Sequence, residues 1–411
     1  MRNYFTENSR IVFILVTMFL NFLGFSILFP ILPFMVGSYE KNSHLLALYV
    51  GLLLSIYALC QFLSAPVLGA LSDLFGRKPI LLISLFGSFV GYLILGFAGA
   101  LWMLFLGRII DGLTGGNIST IYAYMADITK PQERGKYFGM LGAAGGAGMI
   151  FGPAIGGYLG TFHLSVPLFI AAGVTLLDVL FGYFVLPESL PAEHKLSHFD
   201  LQHLNPFKQF SHVFTLPILR RLFLVGFIFF IAMNGLYGIN AVFLKDVYVW
   251  NTAQIGTILF MIGFVDIFSQ GFLINRLLPK FGEVKVAAWG LFLTFIGFIL
   301  AAVTSVFTFT LLIYIALIIL NIGDGLFEPS QNGLISNAVG PRMQGRVQGA
   351  NQGMQSVARI AGPFIATYIY RYWRGLPSFS GGMFVVLALM ILLFSVTTIK
   401  SHMVVEDTFP V

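Results

Sequence analysis

The residues of this sequence that could do chemistry are ionisable groups inside long apolar stretches, where a charge is expensive and needs a partner or a function. Arg108 and Asp111 stand three residues apart in one stretch, and Asp324 and Glu328 stand four apart in another. Residues at these spacings share one face of a helix. Desolvation and mutual repulsion favour the neutral acid in at least one of the two neighbouring carboxyl groups, which can then carry a proton.

Structural alternatives remain open for both pairs. Arg108 and Asp111 can form a self-neutralising ion pair with no further role. Arg359 lies in a later apolar stretch and can form a salt bridge with one of the two acids of the other pair. Such a bridge would oppose proton binding and make that set of residues structural.

The composition indicates a membrane protein. Of its 411 residues 57% are hydrophobic and 10% are charged, and the mean hydropathy is +0.88, whereas about a quarter of the residues of a soluble domain are charged. The one cysteine, Cys60, excludes an intrachain disulfide and a cysteine-based metal site. The sequence has no nucleotide-binding glycine loop, zinc motif or nucleophile elbow, so we do not expect an enzyme. Four histidines between residues 194 and 212 could form a metal site, but no cysteine and no acidic cluster supports this alternative.

Twelve apolar runs are long enough to cross a bilayer as helices. They are continuous, which excludes a transmembrane barrel with its alternating strands of about ten residues. With the N-terminus inside, only Lys41, Lys245, Arg371 and Arg374 fall on the outer side, so both termini are expected in the cytoplasm. The net charge of +6 therefore reflects topology rather than nucleic-acid binding. The runs are 11–36, 46–71, 79–98, 101–125, 136–159, 165–186, 217–244, 252–276, 285–304, 309–338, 345–370 and 380–399.

An internal repeat in the sequence indicates that the chain is a duplicated six-helix unit. The residues Pro131, Gly135, Lys136, Gly139, Gly152 and Pro153 recur 210 positions later as Pro341, Gly345, Arg346, Gly349, Gly362 and Pro363. We therefore expect an all-α membrane protein with twelve transmembrane helices in two pseudo-symmetric six-helix bundles, 1–187 and 217–411, joined by a cytoplasmic linker, 188–216. Two related bundles with a site between them suit transport by alternating access.

The segment Gly69-Ala-Leu-Ser-Asp73-Leu-Phe-Gly76-Arg77-Lys78 lies between the second and third predicted helices. Its glycines permit a short turn and close helix approach, and Asp73 can pair with basic groups or with a helix N-terminus. Such a contact would latch the cytoplasmic side and break in every cycle. The alternative is that Arg77 and Lys78 only set the topology.

The fifth predicted helix carries a stripe of small residues. Small side chains allow another helix to approach closely, and a proline inside the helix removes one backbone hydrogen bond and permits bending. A bendable, closely packed helix suits a transporter, although glycine stripes also serve packing alone. The stripe consists of Gly139, Gly148, Gly152, Pro153, Gly156 and Gly157.

Three of these motifs resemble motifs of the major facilitator superfamily, and the resemblance covers nearly the whole chain. The 69–78 segment is similar to its loop signature, with Leu74 where a basic residue is common. The segment 107–112 resembles its fourth-helix arginine motif, and the glycine stripe matches its antiporter signature. The resemblance is to the twelve-helix drug:proton antiporter branch, most of all to tetracycline-efflux-like multidrug transporters. It implies export of a small molecule in exchange for protons, with Arg108 and Asp111 taking part in proton transfer.

Two departures from tetracycline exporters bear on the substrate and on the coupling. Asn21 stands where their first helix usually carries an aspartate, and residues 286–306 lack the acidic residue of their ninth helix. Asp266, at the place of a protonatable residue in that group, is therefore the preferred proton carrier, with Asp324 and Glu328 beside it. We expect a bulky lipophilic substrate. The predicted lining of its binding site consists of Asn21, Phe25, Tyr57, Gln61, Asn117, Tyr122, Asn234, Tyr237, Asn240, Gln331, Gln355 and Arg359.

The predicted function is a secondary active transporter of the inner membrane that exports drug-like or amphipathic molecules in exchange for protons. We expect a monomer in the lipid bilayer with no cofactor besides the coupling proton and no nucleic-acid partner. Two alternatives remain. The protein can instead take up a nutrient or metabolite, since the loop signature also occurs in importers, or it can be a membrane sensor that kept the fold without transport.

Overall fold

A computed structural model of the chain describes residues 7–191, 193, 217–340 and 343–405. Most of the predicted linker, including its four histidines, lies outside these residues. A 3₁₀ turn, Gly115–Asn117, joins α5 to α6, and a π-helical segment, Ser269–Leu273, joins α10 to α11. The α-helices of the described part are α1 (Glu7–Ser26), α2 (Leu32–Gly37), α3 (Ser43–Phe75), α4 (Arg77–Gly96), α5 (Leu101–Thr114), α6 (Ile118–Ile128), α7 (Arg134–Leu159), α8 (Val166–Val185), α9 (Pro217–Tyr248), α10 (Thr252–Phe268), α11 (Ile274–Phe281), α12 (Glu283–Val303), α13 (Thr310–Asn337), α14 (Gln344–Ile369) and α15 (Leu376–Val405).

Ten membrane spans in the described residues are long and apolar enough to cross a bilayer. The other two of the twelve predicted spans are also helical, and each has a physical reason for falling short of this measure. The fourth span is divided by the 3₁₀ turn into α5 and α6. The eleventh is α14, whose first half is rich in glutamine, asparagine and glycine. The prediction of an all-α, multi-span membrane protein is confirmed.

The described helices form two compact units, and the same helix pairings recur in both. In the first unit α7 packs against α1, and α4 packs against α5 and α8. In the second, α14 packs against α9, and α12 packs against α13 and α15. This repetition is what a duplicated six-helix unit requires, while the predicted bundle boundaries at 187 and 217 stay a prediction. Of the described residues, the first unit contains 7–42, 56–191, 193 and 250–260, and the second contains 43–55, 217–249, 261–340 and 343–405.

Two turns at equivalent places of the repeat depend on glycine. Gly76, between α3 and α4, has φ +111°, and Gly282, between α11 and α12, has φ +75°. Glycine has no Cβ and reaches positive φ at little cost, whereas other residues are strained there. The turn at this place of the repeat therefore needs a glycine in each unit.

Candidate functional site

The second unit brings three acidic side chains and one arginine together. Asp266 lies in α10, and Asp324 and Glu328 lie one turn apart in α13. Asp324 is within electrostatic range of Asp266 and Glu328, and Arg359 of α14 acts on Glu328. Three ionised acids and one cation would carry a net charge of −2 within membrane-spanning helices, so the cluster becomes neutral only when two of the acids bind a proton. We call Asp266, Asp324 and Glu328 the acidic cluster.

Tyr237 of α9 contacts the acidic cluster through its hydroxyl. The hydroxyl oxygen lies 3.1 Å from Asp324 Oδ2 and 3.3 Å from Asn321 Oδ1. Because a tyrosine has a single hydroxyl proton, it donates to one of the two oxygens at a time. Asp266, by contrast, has a buried Oδ1 with no hydrogen-bond partner among the described residues. The cluster therefore contains one acid held by a donor and one with an open oxygen, an arrangement that suits proton movement between acids.

The helix that carries Asp266 changes its winding within one turn after this residue. The π-helical segment Ser269–Leu273 begins three residues beyond Asp266. Single π-helical turns inside α-helices occur frequently at functional sites. An unusual stretch of backbone therefore adjoins the preferred proton carrier.

The first unit buries the predicted pair of Arg108 and Asp111. Arg108 is fully buried, and its Nη1 lies 3.4 Å from Asp111 Oδ2. The guanidinium carbon is 3.9 Å from the ring centre of Tyr57 and 5.9 Å from that of Phe25, and the two rings stack at 5.0 Å. A cation above an aromatic face is attracted by the ring quadrupole. This geometry suits a planar guanidinium, and the ammonium group of a lysine would not reproduce the same contacts.

Two predicted lining residues lie at the break between α5 and α6. The Gln61 amide nitrogen is 3.3 Å from the Tyr57 hydroxyl and 3.0 Å from the Gly115 carbonyl oxygen. Asn117 is fully buried in the 3₁₀ turn, and neither polar atom of its amide has a hydrogen-bond partner among the described residues. Buried amides are normally bonded. Asn117 is therefore the lining residue of this unit with the most unused bonding capacity.

Two further predicted lining residues of the first unit make local contacts. The Asn21 amide donates to the Thr17 carbonyl oxygen one turn earlier in α1, at 3.1 Å. Tyr122 packs edge-on against Phe138, with ring centres 5.2 Å apart. Both side chains are half-buried, so part of each surface stays free for a ligand.

The predicted lining residues of the second unit divide by burial. Asn240 and Gln331 are 4% and 1% exposed, and the Gln331 amide donates to the Leu222 carbonyl oxygen, which ties α13 to α9. Asn234 and Gln355 are half-buried. Helix packing thus already occupies Asn240 and Gln331, whereas Asn234 and Gln355 keep exposed surface.

The loop signature is built around Arg77. Its Nη1 pairs with the carboxylate of Asp73, one turn earlier, and donates to the Ser72 hydroxyl at 2.7 Å. Its Nε donates to Asp127 Oδ2 at 3.2 Å. Gly69 approaches α6, since a Cβ added there would lie 3.6 Å from Ser119 Oγ. Asp73 therefore has the basic partner predicted from the sequence, within its own segment.

A different acid meets the N-terminus of α4. The backbone N–H groups of Arg77 and Lys78 donate to the Glu188 carboxylate at 2.8 and 3.3 Å. A Cβ on Gly76 would overlap that carboxylate. Carboxylates are stabilised at helix N-termini by the unpaired N–H groups and the helix dipole. Lys78 is also anchored, because its Nζ donates to the Tyr183 carbonyl oxygen at 2.8 Å.

The glycine stripe of α7 packs against α1. Gly148 and Gly152 face that helix and Gly156 faces Ile27 directly beyond its end, and a Cβ at Gly148 would overlap the backbone of Phe19. A Cβ at Gly156 would overlap the Ile27 carbonyl group. Backbone-to-backbone approach of this kind is possible only without side chains. These three glycines therefore set the distance between α1 and α7.

The remaining residues of the stripe differ in their surroundings. Gly157 faces the start of α10, where a Cβ would lie 2.8 Å from the Gly256 Cα. Pro153 lies inside α7. A Cβ at Gly139 would meet nothing within 4 Å. The stripe thus makes close contacts in its second half only.

Three acids that sequence analysis did not single out make polar contacts in the first unit. Asp127 and Glu188 bind the 69–78 segment, and Asp178 of α8 accepts a hydrogen bond from Thr17 of α1. Glu188 follows the end of an apolar run, at the start of the predicted linker. Asp127 and Asp178 belong to no motif, but counting every acid within or beside an apolar run would have found both.

The comparisons with known proteins agree with this architecture. Residues 14–363 match the profile of the Major Facilitator Superfamily, and the chain belongs to this superfamily. The class C tetracycline resistance protein of Escherichia coli is 34% identical over 376 residues, which cover 90% of this chain and 93% of the relative. Multidrug resistance protein 2 of Bacillus subtilis (strain 168) is 27% identical over 376 residues, covering 90% and 91%.

Solved structures share the fold at lower identity. The human organic anion transporter MFSD10 (TETRAN) has a TM-score of 0.68 at 23% identity and covers 95% of this chain and 100% of its own. The peptide transporter POT in complex with sulfate has a TM-score of 0.75 at 14% identity, covering 96% and 95%. The protein is therefore a multi-pass membrane transporter of small molecules and not an enzyme.

Proposed function

We propose that this protein exports drug-like or amphipathic small molecules across the inner membrane in exchange for protons, by alternating access. The observation that carries the proposal is the acidic cluster, in which three neighbouring acids lie within membrane-spanning helices and one arginine, Arg359, acts on Glu328. Intramembrane acids of this kind are typical of proton relays in transporters. Relatives named for resistance to tetracycline and to multiple drugs support export as the direction.

The substrate is a bulky lipophilic compound. Phe25, Tyr57 and Tyr122 of the first unit supply aromatic faces, and Asn117 of the same unit supplies a buried amide whose polar atoms have no hydrogen-bond partner among the described residues. Apolar surfaces with a few convergent polar groups are typical of small-molecule sites. The names of the relatives make tetracycline the first compound to test.

The topology and assembly complete the proposal. Both termini lie in the cytoplasm, which the distribution of lysine and arginine along the sequence supports. The protein works as a monomer, since the chain contains both copies of the repeated helix unit. Protons are the coupling ion and no other cofactor takes part.

Transport in membrane vesicles of opposite orientation tests the direction. Everted vesicles should accumulate tetracycline when their interior is acidic, and a protonophore should abolish the accumulation, whereas right-side-out vesicles should not accumulate it. Accumulation in right-side-out vesicles would indicate uptake. No accumulation in either, for tetracycline and a panel of lipophilic drugs, would favour a non-transporting sensor.

A further inference from the structure

Asp178 lies in the middle of α8 and belongs to none of the sites described above. Its side chain is 6% exposed. It lies seven residues before Val185, the last residue of the helix, so the two are separated by roughly 10 Å along the helix axis. Its Oδ1 accepts a hydrogen bond from the Thr17 hydroxyl at 3.2 Å. Its Oδ2 is buried and has no hydrogen-bond partner among the described residues. A carboxylate normally accepts several hydrogen bonds, and this carboxyl group accepts one.

No basic side chain neutralises Asp178 within the described part of the chain. The helices that pack against α8 are α1, α4 and α7. The ion pairs found in this unit join Arg77 to Asp73 and Asp127, and Arg108 to Asp111. The other ionisable groups on α8 and its three neighbours are Glu7, Arg10, Lys78, Tyr92, Arg134, Lys136, Tyr137, Tyr158 and Tyr183.

The geometry fits the neutral acid. An ionised carboxylate without a cation is expensive in an apolar surrounding, and such groups take up a proton instead. With the proton on Oδ2, Oδ1 is a carbonyl oxygen that still accepts from Thr17. The ionised form would leave a charged oxygen buried with nothing to bond it. Asp178 can therefore release its proton only when water reaches it.

We propose that Asp178 is a second proton-binding site of the transport cycle, in the first unit and separate from the acidic cluster. This inference rests on the proton-coupled export proposed above. The proton comes from water, binds Oδ2 while the carboxyl group is accessible, and returns to water when α1 and α8 separate at the Thr17–Asp178 contact. Only an O–H bond forms and breaks, and the carboxyl group cycles between its neutral and ionised forms.

Reconstituted wild-type protein and Asp178→Asn test the proposal with tetracycline as the probe. The variant should retain tetracycline counterflow, which needs no net proton movement, and lose accumulation driven by a pH gradient. Thr17→Val removes the hydrogen bond but keeps the carboxyl group, so it should retain gradient-driven accumulation. Gradient-driven accumulation by Asp178→Asn at the wild-type level, with the same number of protons per drug, would overturn the proposal.

The same assay separates this proposal from the one on which it rests. A wild-type protein that moves no protons with any compound overturns both, whereas a coupled wild type with a coupled Asp178→Asn overturns only the second proton site. If Asp178→Asn does not fold, infrared spectra of the wild type and Asp178→Glu decide. The carbonyl band of a protonated carboxyl group should vanish in alkaline buffer and shift in frequency in Asp178→Glu. A band that never changes with pH would contradict proton release.

Discussion

At the scale of single residues, Arg108 is held by two kinds of contact that can be separated by mutation. Asp111 supplies the opposite charge and Tyr57 supplies a ring face. Removing Arg108 alone leaves Asp111 buried without its cation, which costs about 3–5 kcal/mol for a buried pair. Removing both charges leaves no uncompensated group.

We predict that Arg108→Gln lowers the free energy of unfolding by about 3 kcal/mol or more, and that adding Asp111→Asn restores most of the loss. The measurement is thermal unfolding of the purified protein in detergent. Transport by the double variant then distinguishes the two roles of the pair, because a structural pair permits proton-driven transport and a proton-transfer pair does not. If Arg108→Gln were as stable as the wild type, this result would contradict a stabilising role for the buried ion pair.

Sequence could identify some functional residues and not others, for physical reasons. Arg108 and Asp111 are recognisable in the sequence because a charge inside an apolar run is costly and calls for a partner or a function. The predicted substrate lining includes Gln331, but its amide bonds the backbone of α9. The spacing of residues gives the face of a helix, whereas only the structure shows what that face meets. Asp178 is the converse case, since only the three-dimensional structure shows that its Oδ2 is buried without a hydrogen-bond partner among the described residues.

At the scale of helices, two glycines of α7 differ in how much space an added side chain would find. Gly156 meets the Ile27 backbone, while Gly146 has nothing within 4 Å of an added Cβ. We predict that Gly156→Ala costs about 1–3 kcal/mol by overpacking and impairs transport. Gly146→Ala should be neutral or stabilising by up to about 1 kcal/mol, because alanine favours the helix. Thermal unfolding and tetracycline transport measure both, and equal losses in the two variants would refute the packing role.

The N-terminus of α4 allows a second paired comparison. The Glu188 carboxylate accepts hydrogen bonds from the backbone N–H groups of Arg77 and Lys78. The side chain of Glu133, at the N-cap of α7, makes no capping hydrogen bond. We predict that Glu188→Ala destabilises the protein by about 0.5–2 kcal/mol, as loss of a capping side chain does. Glu133→Ala should change the stability little. An unaffected Tm in Glu188→Ala would rule out the capping contact.

Helices were predictable to the extent that hydropathy reports them. Ten spans are continuous and apolar, and each coincides with an apolar run that was predicted from the sequence. The break at Gly115–Asn117 was not predicted, because a 3₁₀ turn of two glycines and an asparagine changes the winding without a change in hydropathy. The polar α14 coincides with the predicted run 345–370, and its glycine and proline echo of α7 supports that prediction where the hydropathy is weak.

At the scale of the whole molecule, a repeated scaffold carries unlike chemistry in its two units. Each unit has the same three helix pairings. The first unit contains the buried pair of Arg108 and Asp111 together with Asp178, and the second contains the acidic cluster. The internal repeat in the sequence could predict the scaffold, because packing glycines and prolines recur at a fixed offset. Of the charges it could predict one shared acid, because Asp111-Gly112-Leu113 corresponds to Asp324-Gly325-Leu326. It could not predict the others, because these differ between the copies.

Proton movement driven by drug in proteoliposomes tests the central claim most directly. Tetracycline added to wild-type proteoliposomes should drive protons in the opposite direction, and Asp266→Asn should abolish this flux. Glu40→Gln, which neutralises an acid in the loop between α2 and α3, is the matched control and should leave the flux unchanged. A flux that persists in Asp266→Asn would move the proton carrier to Asp324 or Glu328. The absence of flux in the wild type with tetracycline and every other lipophilic drug of the panel would contradict the account.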